Sequence, residues 1–340
     1  MKKITTIIAA ALCITLVLSA CGSENTTSAD TQTSQTESTN NENNGRQGGM
    51  QGGHGGMQGG NGGMTTEKDE NVLAAIEEGA SKFTQANFTD PDTGTVLEYS
   101  LYIPESYDAG TKYPLVTYVP DSTAVGLSAK SIVEKYYGAN SFVTSEEQAV
   151  HTSFVLVPAF TDTVTTDNWE TSDQIETLVK LIGSLGETYS LDADRYYMTG
   201  QSMGCMTSLY LSSTQPDLFA AFLFVSGQWD INVLKGLEQQ KFFYIVAGGD
   251  DKASTGQSEV MAMFDADGVN YTFEEWDAQN EKDTQNTALK ALADQGLNGN
   301  FVLFTTGTVL NGGSGMEHMA SFNYAYKIAA VHDWLFEQSK

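Results

Sequence analysis

Short apolar runs separated by helix-like stretches constrain this chain more than any other feature. YPLVTYVPD (113–121), SFVLVPAF (153–160), RYYMTG (195–200), FAAFLFVSG (219–227), KFFYIVAGG (241–249) and NFVLFTTG (300–307) are rich in aromatic and β-branched residues. Few of them alternate apolar with polar positions, so as strands they need cover on both faces. YTFEEW (271–276) reads as a further late strand. Between these runs lie segments of helical period. In SDQIETLVKLIGSLGETY (172–189), Ile175, Leu178, Val179, Ile182 and Leu185 share one face. MGCMTSLYLSS (203–213) and GQSEVMAMFDADG (256–268) read as helices, and SFNYAYKIAAVHDWLFEQ (321–338) as one final amphipathic helix. Alternation of this kind predicts an α/β fold, a mostly parallel sheet with helices on both faces. Upstream, NVLAAIEEGA (71–80) predicts a short helix. KFTQANFTD and TVLEYSLYIP flank the turn signal Asp90-Pro91-Asp92-Thr93-Gly94 and predict two strands that add an antiparallel edge.

The chain before residue 67 has a different character. Met1-Lys2-Lys3 is basic, Ile4 to Leu18 is almost wholly apolar, and small residues follow, as in a signal peptide over 1–20. The apolar run falls short of the ~20 residues of an easy membrane span. Leu18-Ser19-Ala20-Cys21 resembles the bacterial lipobox, in which the peptidase cuts before the cysteine and lipid joins its sulfur. That resemblance implies export, lipidation at Cys21 and attachment to the outer face of a bacterial cell membrane. Residues 21–66 are rich in Ser, Thr, Asn, Gln and then Gly, ending in GGMQGGHGGMQGGNGGM. They lack the apolar content to offset chain entropy and read as a flexible tether. Met50, His54, Met57 and Met64 on so loose a chain make a poor metal site, and none is expected.

The remaining 67–340 is expected to be one catalytic domain. Of three cysteines, Cys13 falls in the signal and Cys21 at the lipobox. Cys205 is then a free thiol with no partner for a disulfide, so stability must come from the core. The formal net charge of −26 disfavours a nucleic-acid partner, which requires a basic surface.

Gly200-Gln201-Ser202-Met203-Gly204 stands between a strand and a helix. A nucleophile elbow needs that order: a buried strand, a sharp turn with small neighbours, and a helix directly after. The glycines are expected to permit a strained turn without side-chain clash. Ser202 is therefore the candidate nucleophile. Only four histidines can serve as its base. His54 lies in the tether, His151 precedes a strand upstream of Ser202, and His332 sits mid-helix as a surface or packing residue. His318, in the glycine-rich NGGSGMEHMASF after the last strand, remains. The third member of a triad follows the serine and precedes the histidine in this architecture. Asp250 and Asp251, at the tip of FFYIVAGG, both qualify, with Asp250 nearer the strand. The oxyanion is expected to meet the Met203 N–H and a donor from YVPDSTAVG. Pro120 has no N–H, so Asp121 or Ser122 must supply it. Gln228 and Trp229, and also Trp169, are candidates for a substrate pocket. No metal or cofactor is needed.

The stretch SLDADRYYMTGQSMGCMTSLYLSSTQPDLFAAFLFVSG resembles the core of secreted esterases related to polyhydroxybutyrate depolymerase and to feruloyl and acetylxylan esterases. With YPLVTYVPD, IVAGGDDKA and the His318 loop, the resemblance spans about 90–340. It implies an α/β-hydrolase fold with Ser202, Asp250 and His318 as triad. The D-x-K-A pattern from Asp250 to Ala253 favours Asp250 over Asp251. Three features depart from the family. Pro120-Asp121 replaces the usual His-Gly of the oxyanion loop, Cys205 replaces a glycine after the motif, and no polymer-binding module is present. The expected activity is hydrolysis of a small-molecule or polysaccharide-linked ester. A serine peptidase of the same fold and a non-catalytic binding lipoprotein are the alternatives.

Overall fold

The computed structural model describes residues 69–340. The signal peptide, Cys21, the tether and His54 lie outside the described residues. Nine strands form one sheet: β1 (Thr84–Thr89), β2 (Val96–Tyr102), β3 (Tyr113–Val119), β4 (Phe154–Ala159), β5 (Leu191–Gln201), β6 (Ala221–Val225), β7 (Phe242–Ala247), β8 (Tyr271–Trp276) and β9 (Gly299–Phe304). Their order is β1-β2-β4-β3-β5-β6-β7-β9-β8. β1 pairs antiparallel with β2, and β2 with β4; every pair from β4 through β8 is parallel. The predicted antiparallel edge and parallel body are both present.

Burial on both faces explains why β4, β6 and β7 are apolar throughout and β3 nearly so. On β7, Phe243, Ile245 and Ala247 enter one core cluster, and Phe242, Tyr244 and Val246 enter the other. On β3, Val116 and Tyr118 face one way and Leu115 and Val119 the other. Each cluster is closed by helices, so neither face of these strands meets water.

Several local expectations need correction. The C-terminal segment is two helices, Glu317–Tyr326 and Ala329–Glu337, not one. No glycine or proline marks the break. Ile328 turns into the core in an extended conformation, and Asn286 Oδ1 accepts the Ala330 N–H at 3.0 Å, satisfying a donor at the new helix start. Residues 121–150, for which the pattern gave no element, form three short helices, Ala129–Val133, Tyr137–Asn140 and Ser145–Val150. A helix at Lys282–Ala293 was also not anticipated. The helix after β7 runs from Asp251 to Asp267, beginning earlier than predicted and ending at left-handed Gly268. Among the described residues no helix is long and apolar enough to cross a membrane.

Candidate active site

β5 ends at Gln201, and the chain turns at Ser202 into the helix Met203–Thr214. Ser202 lies at φ 52°, ψ −115°, a conformation that a residue with a Cβ rarely adopts. Such strain persists only where the surroundings over-determine it. The Ser202 N–H donates to Val225 O on β6 at 3.0 Å, and Ser202 O accepts from the Met206 N–H at 2.9 Å. The flanking glycines spare the turn a side-chain clash, as expected, though not through unusual backbone angles of their own. Neither adopts a positive φ. A Cβ on Gly204 would lie 1.9 Å from Val119 O, and one on Gly200 would lie 2.5 Å from Gly204 O. The glycines let three backbone segments touch, and the serine itself carries the strain.

His318 is the second residue of the helix Glu317–Tyr326, not a loop residue. Its Nε2 lies 2.8 Å from Ser202 Oγ and its Nδ1 lies 2.6 Å from Asp250 Oδ2. A carboxylate only accepts, so Nδ1 carries the proton and Nε2 is left to accept from the serine hydroxyl. The Asp250 oxygens divide their work: Oδ1 caps the helix Asp251–Asp267 through the Ala253 N–H, and Oδ2 meets the imidazole. Asp250 is 6% exposed, whereas Asp251 faces solvent. Asp250 is thus the one brought to His318. The other described histidines pack elsewhere. His332 is a packing residue, buried and stacked on Phe142, while His151 stacks on Phe336.

The Met203 N–H opens the helix, and the Val119–Pro120 backbone presses directly on Gly204. Asp121 follows at once. Among the described residues, neither the Met203 nor the Asp121 N–H donates to a protein acceptor, and Ser122 opens a short 3-10 turn. Sequence reasoning missed what the Asp121 side chain does. Its Oδ2 accepts from Gln201 Nε2 at 2.8 Å, and Gln201 Oε1 accepts from the Tyr118 hydroxyl at 3.0 Å. Its Oδ1 accepts from the Thr123 N–H and hydroxyl at 2.8 and 2.6 Å. Asp121, Gln201 and Tyr118 are all buried. The variable residue of the G-x-S-x-G motif therefore clasps the neighbouring loop.

The pocket candidates separate. Trp229 is 4% exposed and belongs to the core, so it backs the site rather than lines it. Trp169 is 42% exposed, sits at φ 65° and packs edge-on against Trp229, which in turn meets Tyr210. It tips a narrow hairpin closed by the Thr165–Thr171 bridge. Thr165 Oγ1 donates to Met203 O at 3.1 Å, so this hairpin abuts the elbow. Asp167 fastens it, accepting from Gln228 Nε2 at 2.8 Å and Lys252 Nζ at 2.6 Å. Gln228 thus holds a loop.

Cys205 is buried, and burial pushes its thiol pKa far above the usual range, which makes it a neutral packing group. It packs against Gly227, where an added Cβ would lie 2.7 Å from that of Cys205. A cleft of 680 Å³, lined by Pro114, His151, Arg195, Lys290, Asp333 and Glu337 among others, opens at the opposite ends of the parallel strands and takes no part in this arrangement. Among the described residues no group of three His, Cys, Asp or Glu side chains is placed to hold a metal.

The strand order, the helix after β5 and the sharp turn between them define an α/β-hydrolase. The Esterase family model, described as "Putative esterase", matches residues 92–334, and the chain belongs to that family. A thermostable esterase shares the fold with a TM-score of 0.62 at 22% identity; the match covers 77% of this chain and 64% of that protein, so the chain spans under two thirds of its length. A mutant of the feruloyl esterase module from Clostridium thermocellum, complexed with sinapinate, aligns with a TM-score of 0.54 at 15% identity, covering 77% of this chain and 90% of the module. No curated protein matches the chain.

Proposed function

We propose that this protein is a lipid-anchored serine carboxylic-ester hydrolase with Ser202, His318 and Asp250 as its triad. The supporting observation is the unbroken line Asp250 Oδ2 to His318 Nδ1, and His318 Nε2 to Ser202 Oγ, at 2.6 and 2.8 Å. Ser202 Oγ attacks the ester carbonyl while its proton passes to His318 Nε2. Asp250 stabilises the resulting imidazolium and fixes its orientation. The oxyanion lies between the N–H groups of Met203 and Asp121. As the tetrahedral intermediate collapses, the alcohol leaves with the proton from His318. Water, deprotonated by His318, then attacks the acyl-serine and releases the acid.

The exposed face of Trp169, braced by Trp229 and Tyr210, suits a flat aromatic acyl group. The similarity to a feruloyl esterase module favours the same substrate class. The lipobox-like Leu18-Ser19-Ala20-Cys21 supports export and attachment of the enzyme to the outer face of the cell membrane.

The test is turnover of methyl ferulate, methyl sinapate, p-nitrophenyl acetate and a matched acyl anilide by purified protein. Hydrolysis of the esters with an initial burst, and little of the anilide, is expected. Preferential cleavage of the anilide would replace the esterase reading with a peptidase, and no turnover of any would leave a binding lipoprotein. The anchor is tested by detergent phase partition of full-length protein from cells. Cys21→Ala should move it to the aqueous phase, and an unchanged partition would refute lipidation there.

A further inference from the structure

The mechanism above leaves one carboxylate beside the base without a role. Glu317 directly precedes His318. Its Oε2 accepts from the Gly249 N–H at 3.0 Å, and its Oε1 from the Gly307 N–H at 2.9 Å. Gly249 directly precedes Asp250, and Gly307 lies in the turn after β9, at φ 85°. The fit is close, since a Cβ on Gly249 would lie 2.0 Å from Glu317 Oε1. One carboxylate thus joins the residue before the triad acid to the residue before the triad base. Charge-assisted bonds to two N–H groups are short and directional, so they fix geometry as well as add stability.

The ring of His318 needs such a fix. Its side chain is 31% exposed and leans edge-on against Phe322. Asp250 and His318 are 68 residues apart in sequence; Asp250 caps one helix and His318 lies on another, so their 2.6 Å contact depends on how those helices are docked. On its other side, the His318 carbonyl accepts from Ser321 Oγ at 2.8 Å, and Ser321 pairs with Ser226 at 2.7 Å.

We propose that Glu317 is a positioning residue that holds the His318 imidazole in line between Asp250 and Ser202. This rests on the triad reading above. A negative side chain in a first helical turn also stabilises the helix. Gly249→Ala separates the two roles, because it displaces the carboxylate without altering the helix charge.

The experiment measures kcat and KM for an ester substrate with wild type, Glu317→Ala, Glu317→Gln, Gly249→Ala and the Glu317→Ala/Gly249→Ala double variant, beside thermal unfolding of each. Misplacing a catalytic group by about 1 Å costs on the order of 10²-fold, so Glu317→Ala and Gly249→Ala should each lower kcat about 10- to 100-fold with little change in KM. Glu317→Gln keeps one acceptor and should fall between wild type and alanine. The double variant should be no worse than the poorer single variant, because both act on one contact. A folded Glu317→Ala variant with wild-type kcat, or a loss carried wholly by KM, would overturn the proposal. If Glu317→Ala does not fold, Glu317→Gln and Gly249→Ala decide by the same criteria. Wild-type turnover is measured first, and its absence would overturn the triad reading itself.

Discussion

Gly204→Ala should disable the site with only a moderate loss of stability. The added Cβ would meet Val119 O at 1.9 Å, Val119 C at 2.6 Å and Pro120 O at 3.0 Å. All three are backbone atoms, so no rotamer change relieves the clash. To restore ordinary contact, which begins at 3.4 Å, the loop after β3 must retreat by roughly 1.5 Å from its 1.9 Å position. That loop carries the Asp121 N–H. Loss of one oxyanion donor typically costs about 10²–10³-fold in kcat, and that is the expected drop. Overpacking costs about 1–3 kcal/mol, so the variant should still fold. Gly183→Ala is the control. Gly183 is exposed within the helix Gln174–Thr188, and a Cβ there meets nothing within 4 Å. It should gain about 0.5–1 kcal/mol and leave kcat unchanged. The assay is steady-state ester hydrolysis beside urea unfolding. A folded Gly204→Ala variant with kcat within about twofold of wild type would refute the reasoning, because the 10²-fold scale of a lost donor leaves no room for it.

Gln201→Leu should remove a hydrogen-bond partner from the buried Asp121 carboxylate and Tyr118 hydroxyl, costing about 1–3 kcal/mol in urea unfolding. Glu147 gives a pH test. Burial alone would raise its pKa, but His332 and His151 hold it down to about 2 from an ordinary 4.5. A depressed carboxylate contributes stability above its unfolded pKa and loses it as pH falls through the folded one. Wild type should therefore lose up to about 3 kcal/mol relative to Glu147→Gln between pH 4.5 and 2, read by thermal unfolding across that window. Parallel acid profiles would contradict the pairing. The Cys205 thiol should resist a disulfide reagent in the native protein and react once urea unfolds it. Rapid native labelling would contradict its burial.

The sheet and the elbow were legible because they rest on local chemistry. Strands buried on both faces must be apolar, and β4, β6 and β7 are so throughout. Gly200 and Gly204 marked the turn and its need for neighbours without side chains; that Val119 is what they make room for, and that Ser202 itself holds the strained angles, does not show in sequence. His318 emerged by elimination only because histidines are few. Its place on a helix was hidden by the glycines before it. Asp250 and Asp251 were hard to separate because both follow the same strand. The helix that starts between them buries one and exposes the other. The Gln201–Asp121 clasp, the Asp167 tie and the Glu317 bridge were not legible, since each joins polar residues far apart in the chain through geometry that only the folded sheet creates. The split of the last helix was missed for a similar reason. Asn286, which satisfies the Ala330 N–H at the new helix start, lies on another helix.

The central claim is that His318 activates Ser202. A fluorophosphonate probe tests it most directly, because it reacts with activated serines whatever the natural ester is. Purified wild type, Ser202→Ala and His318→Ala would be treated alike, with the adduct located by peptide mass. The account predicts one adduct on wild type, at Ser202, and its loss in both variants. A folded wild type that stays unlabelled, or an adduct that persists in Ser202→Ala, would contradict it.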